Sequence, residues 1–235
     1  GVFARPAKLR VYRPLFRAVD AWVEIAEFRK SASTVSPGTA ARGFLKDYAG
    51  RSEFGPLVDA LESVWLPISN RGAASPDAVS FWRLLVAARR TRAEFSRGLE
   101  CADRAIARAP DALRDGLRLE RARVLDGARR RPEALAAHEE LRRRGALSAY
   151  ESALAIGRLR SILVEIDAAL GEYDLAIRNA PSRAAAMGAE VSRAGLLMKA
   201  GRVDEAARLL GRIARSNRGA RGRAAAWKLF LLEIE

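Results

Sequence analysis

The chain has 235 residues, 49% of them hydrophobic, enough to bury a core without help from disulfides or metal. Its 42 basic residues face 28 acidic ones for a formal charge of +14, and all but five of the basic residues are arginine, an excess that points to polyanionic partners such as RNA, DNA or an anionic membrane surface. Cys101 is the single cysteine, which excludes a disulfide-stapled scaffold and a multi-thiolate metal site and is compatible with a reducing compartment. Charges interrupt every apolar run well before the roughly 18 to 20 residues a membrane-spanning helix needs, so a soluble protein is expected.

The first nineteen residues carry Arg5, Lys8, Arg10, Arg13 and Arg17 and no acid. This basic arm has the acid-poor character of an organelle transit segment as well as of an arm leading into a helix. Apolar Leu9, Tyr12, Phe16, Val19, Val23 and Ala26 recur at steps of three and four, one buried helical face with Pro14 as its kink or start. Residues 31–43, rich in Ser, Thr, Pro and Gly, read as a loop, and short helices are expected over 43–49 and 55–65. After a second break at 66–76, Ser75 as N-cap and Pro76 at the first helical position signal a helix start. The expected organisation is therefore an N-terminal region over 1–74, a basic arm with helices, and a helical array over 75–235.

From Pro76 onward the start signals recur: Pro110-Asp111, Pro132-Glu133, and Ser148 with Glu151 at capping-box spacing. Alternating β-branched runs and Asn-Gly turns are absent from this sequence, and short helices joined by tight turns imply antiparallel pairs. Four segments share a grammar of bulky residue, small residue and apolar residue at helical spacing, beginning at Phe95, Arg131, Gly171 with Tyr173, and Gly201 with Val203. The spacing from Phe95 to Arg131 to Tyr173 to Val203 is 36, 42 and 30 residues. At the end of the chain Trp227, Phe230, Leu231 and Ile234 make one apolar helix face that closes the core, docks on a partner, or continues into further chain.

These segments resemble the second helix of a tetratricopeptide repeat with its preceding turn, and the resemblance covers about residue 75 to the end. It places Gly171 and Gly201 as turn glycines, Ala134, Ala176 and Ala206 as small helix-contact residues, Leu99, Leu135 and Ile177 as the apolar position after them, and Pro110 as a repeat-ending proline. The pentatricopeptide family is the close relative, and Lys199 to Ala206 and Leu141 to Gly145 followed by Tyr150 fit its style. The irregular spacing assigns no base-reading residues. The resemblance implies an all-α, right-handed α-solenoid of antiparallel helix pairs that binds through its surface.

Arg89, Arg90 and Arg92 are expected at one helix end, Arg129, Arg130 and Arg131 at a turn, and Arg142, Arg143 and Arg144 at the next helix end. Arg208, Arg212 and Arg215 share a helix face that Arg218, Arg221, Arg223 and Lys228 extend, with Glu205 the one nearby acid. These arginines are the candidate polyanion-binding set, and Trp227, Phe230, Leu231 and Ile234 the candidate partner-docking set. No catalytic, metal or cofactor site is expected. His138 reads as a partly exposed or helix-packed residue, Trp22, Trp65 and Trp82 as core, Met187 and Met198 as gap fillers, and Glu139 with Glu140 as a solvated pair. Three functional classes follow. They are a non-enzymatic scaffold or accessory subunit holding protein subunits of a larger complex, an RNA-binding subunit of an organellar ribonucleoprotein, and a bacterial adaptor. No small-molecule substrate is expected, and organelle matrix or bacterial cytoplasm would suit the chain.

Overall fold

The computed structural model describes residues 76–216 together with Ala226. The N-terminal region, Trp22, Trp65, Arg218, Arg221, Arg223 and the apolar helix face of Trp227, Phe230, Leu231 and Ile234 lie outside the described residues. The described residues form eight helices and no strand: α1 (Pro76–Thr91), α2 (Phe95–Arg108), α3 (Asp111–Gly127), α4 (Arg131–Arg143), α5 (Ala149–Ile162), α6 (Ile166–Arg178), α7 (Arg183–Lys199) and α8 (Val203–Ser216). The chain divides after Arg129 into two compact units. In the first, α1 packs on α2 and α3, and α2 on α3; in the second, each helix from α4 to α8 packs on the next.

The helix starts follow local chemistry. Pro76 opens α1, Pro110 precedes α3, and Pro132 sits in the first turn of α4, where its missing N–H costs nothing. Ser148 closes the expected capping box: its Oγ accepts from the Glu151 N–H at 3.2 Å, and the Glu151 carboxylate accepts from the Ser148 N–H at 3.2 Å. Ser182 caps α7 in the same way, its Oγ accepting from the Ala185 N–H at 3.1 Å.

One turn joins the two helices of each of four repeats. The same wrap also follows α4, where Gly145 has φ of 66° and the Ala146 N–H reaches the Leu141 carbonyl at 3.0 Å. Ala93, Arg129, Val164 and Gly201 all adopt the left-handed conformation, with φ of 59°, 61°, 65° and 72°. After three of them the next N–H reaches back to the last helical turn: Glu94 to the Arg89 carbonyl (2.9 Å), Glu165 to Arg160 (3.0 Å) and Arg202 to Leu197 (2.9 Å). This is the wrap of a Schellman motif, which reverses the chain while satisfying carbonyls that the helix end leaves open. The turn residues are 36, 35 and 37 residues apart.

That register corrects the third repeat. Gly171, matched from sequence to a turn, lies in the middle of α6 and is exposed; the turn falls seven residues earlier, at Val164. The uneven spacing of 36, 42 and 30 came from counting to Tyr173 where Ile166, the first residue of α6, is the equivalent of Phe95, Arg131 and Val203. Five residues after each turn stand Gly98, Ala134, Ala169 and Ala206, all buried. Ala169 therefore takes the contact role expected for Ala176, and Leu170 the following apolar position expected for Ile177. Ala176 instead belongs with Ala105, Leu141 and Ile213, the buried residues twelve after the turn. Seven residues before each turn, Val86, Ala122, Gly157 and Ala194 keep the first helix of each repeat narrow enough for close approach.

The misplaced glycine gives opposite expectations at two sites. Val164 is a β-branched residue in a left-handed turn and is 74% exposed, so Val164→Gly should relieve about 1 kcal/mol of strain at little cost in burial. Gly171 is helical, and an added Cβ meets nothing within 4 Å, so Gly171→Ala should also stabilise, by about 1 kcal/mol. Each should raise the melting temperature by roughly 2 to 4 °C. A fall with Gly171→Ala would return Gly171 to a turn.

Burial follows the repeat register. Trp82 and Phe81 are buried in α1 with ring centroids 6.2 Å apart, edge to face. In the second unit Ala169, Leu170, Tyr173, Met187, Leu196, Leu197, Leu209, Leu210 and Ile213 form one core across α6, α7 and α8, against which Met198 packs. His138 is buried nine residues after its turn, where Ala102, Tyr173 and Leu210 stand in the other repeats. It is a packed helix residue. No helix among the described residues is long and apolar enough to cross a membrane.

Candidate interaction surface

The sequence clusters its arginines, and the structure separates those the fold employs from those it leaves outward. Arg89 is 1% exposed and donates to Glu94, whose other oxygen accepts from Arg92 Nε at 2.7 Å. Arg90 is half-buried beside them. Arg129 is exposed at its turn, Arg130 donates to Glu133 (2.6 Å), and Arg131 is half-buried and already engaged.

Arg142 donates to both oxygens of buried Glu172, at 2.8 and 3.0 Å. Arg160 donates to Glu139 at 2.8 Å and stands 3.7 Å from Glu165 and from Glu172, so one ion-pair network spans α4, α5 and α6. The hydrogen bond to Glu139 raises the Arg160 pKa against the opposing effect of burial. Arg143 and Arg144 pair with Glu140 at 2.6 and 4.0 Å. Glu139 and Glu140 thus keep part of the solvent exposure expected from sequence while each also pairs with an arginine. Adjacent residues point in different directions, and each found its own arginine.

α8 differs. Its Ala206, Leu209, Leu210 and Ile213 are buried, which leaves Arg208, Arg212 and Arg215 on the opposite stripe, all exposed. Glu205, the nearest acid, accepts two hydrogen bonds from Arg202 at 2.7 and 2.8 Å. That pairing holds its carboxyl below the ordinary range, with Arg193 and Arg208 adding to the effect. Arg193 on α7 pairs with Asp174 at 2.8 Å. Among the described residues Arg208, Arg212 and Arg215 form no ion pair. They line an open groove of about 750 Å³ with Arg193, Glu205, Ala207, Leu209 and Gly211. Sequence spacing placed these three on one face, and the structure brings them together; Arg218, Arg221 and Arg223 fall outside the described residues. Arg193 was not among the expected residues, since only the packing of α7 against α8 brings it to the groove.

No cluster of His, Cys, Asp and Glu able to hold a metal ion occurs among the described residues. The chain matches no protein-family model, and no curated protein matches it. Solved structures do. The crystal structure of a Podosopora anserina putative kinesin light chain with nearly identical TPR-like repeats superposes with a TM-score of 0.61 at 15% identity, covering 85% of this chain and 96% of that one. A single-residue variant of the same protein gives a TM-score of 0.65 at 15% identity, covering 83% and 98%. The chain thus has the fold of a TPR-like helical-repeat solenoid.

Proposed function

We propose that this chain is a non-enzymatic interaction scaffold that holds a protein partner in a larger assembly. The observation that carries this reading is the division of labour within each repeat. The buried positions that recur from turn to turn serve helix contact, while outward positions such as 208 and 212 differ from repeat to repeat and are left to a partner. TPR-like structures are built in this way, and their stacked hairpins offer a broad surface instead of an enclosed cavity.

The test is isolation of the tagged full chain from its native source, followed by reconstitution with the purified candidate partner under light scattering. One stoichiometric protein complex, stable at 150 mM salt, is the expected result. A chain that stays monomeric with every recovered protein would defeat the scaffold reading. A second reading, RNA binding, is favoured by the +14 charge and the unpaired arginines of α8. It requires affinity that falls steeply with salt and recovered material that nuclease removes.

A further inference from the structure

We infer that the outward stripe of α8 is a docking site for an acidic protein segment, one presenting carboxylates along about two helical turns. This names the partner chemistry of the scaffold and rests on that reading. Arg208, Arg212 and Arg215 are spaced four and three residues apart, so they fall within one narrow stripe and span about 10 Å of helix.

The other repeats show that this stripe is not a by-product of the fold. At the equivalent positions, seven, eleven and fourteen residues after the turn, α2 has Glu100, Arg104 and Ala107, α4 has Ala136, Glu140 and Arg143, and α6 has Gly171, Leu175 and Arg178. Where charge occurs at the first two of these positions it is balanced: Arg104 lies 3.3 Å from Glu100, and Glu140 lies 2.6 Å from Arg143. A cation fourteen residues after the turn sits in the last helical turn of α4, α6 and α8, where the helix dipole favours it. The dipole accounts for Arg215. It does not account for Arg208 and Arg212, which stand earlier in the helix: Arg208 follows Asp204 and Glu205 by one turn and adds to lowering the Glu205 carboxyl, yet neither arginine is ion-paired among the described residues.

Of the acids near the groove, Glu205 is engaged by Arg202 and Asp174 by Arg193, while Asp204 stands one turn before Arg208. The groove therefore presents three guanidinium groups that no described residue holds in an ion pair, each able to grip a carboxylate through paired N–H donors. Residues 217–235 are themselves net basic, with Arg218, Arg221, Arg223 and Lys228 against Glu233 and Glu235. An acidic protein fits better than RNA because the described groove-lining residues include no aromatic side chain on which a base could stack.

The test measures fluorescence anisotropy of a labelled, helical, glutamate-rich peptide carrying Glu at i, i+4 and i+7, against the full chain. A composition-matched scrambled peptide and an oligouridine of equal charge serve as competitors. Arg212→Ala should weaken binding roughly tenfold. The triple variant R208E/R212E/R215E should abolish it, with circular dichroism and melting temperature unchanged, whereas R178E/R183E on α6 and α7 should bind as the wild type does. Unchanged binding by the triple variant, equal binding of the scrambled peptide, or stronger binding of oligouridine would each overturn the proposal, the last in favour of nucleic acid. If the reconstituted partner still binds the triple variant, the scaffold stands and this surface falls. If no protein partner is found at all, the scaffold itself falls.

Discussion

Glu94→Ala should destabilise the first unit by about 3 kcal/mol, because it removes a carboxylate paired with a guanidinium that is almost wholly withdrawn from water. Arg89 is 1% exposed, at the position four residues before the turn, and its charge is met by Glu94 immediately after the turn. The Glu94 side chain caps no helix N–H, so its removal acts through the ion pair and not through the start of α2. In the second and fourth repeats the position of Arg89 is held by Leu125 and Leu197, both buried. Arg89→Leu should therefore be close to neutral alone and should restore most of the stability lost in Glu94→Ala. Urea unfolding of the two single variants and the double variant decides this. A double variant no better than Glu94→Ala alone would show that the pair is not the source of the loss.

The same pair sets a pH dependence. Burial alone would raise the Glu94 carboxyl, but hydrogen bonds and charge from Arg89 and Arg92 outweigh it and hold the pKa below its ordinary 4.5. A carboxyl depressed in the folded state contributes stability above its unfolded value and loses it as pH falls through the folded one. The gap in stability between wild type and Glu94→Ala should thus be full above about pH 5 and shrink progressively below 4.5. A gap that is flat from pH 7 down to 3 would contradict the ion pair.

Gly157→Leu should cost about 3 kcal/mol or more and open the second unit between α5 and α6. A Cβ at Gly157 would stand 3.1 Å from the Cβ of Glu172 and 3.4 Å from the Tyr173 ring. Neither neighbour can yield freely, because Glu172 is held by Arg142, with Arg160 close by, and Tyr173 is 4% exposed in the core. Alanine asks for a shift of a few tenths of an ångström and should cost about 1 kcal/mol. A leucine side chain must displace the ring or lift Glu172 off its arginine. Hydrogen exchange should show lost protection across α5 and α6 with that of α1 to α3 retained. A Gly157→Leu variant as protected as the wild type would mean that the two helices are not in close contact there.

These effects bear on how far the sequence could be read. The helix starts were legible because they depend on near neighbours: Ser148 with Glu151, Pro76, and Pro110 before Asp111 are chemistry within one turn. The small residues at Ala134 and Ala206 were legible too, since a close helix contact admits little else. The third repeat was misread because its turn carries no glycine. Val164 occupies a left-handed conformation that β-branched residues avoid, while Gly171, the residue a turn would favour, sits in a helix. A signal was present in Ala169, which stands 35 residues after Ala134 and 37 before Ala206.

Composition, helix periodicity and start signals by themselves determined an all-helical repeat chain with a strong positive charge, because they report interactions between residues a turn or less apart. The tertiary structure alone decided the common register of the repeats and the fate of each arginine. Arg89, Arg142 and Arg208 are the same residue type in similar local sequence. Only the acids brought to them, Glu94 across a turn and Glu172 thirty residues away, hold Arg89 inside the fold and tie Arg142 down half-buried, and leave Arg208 facing outward.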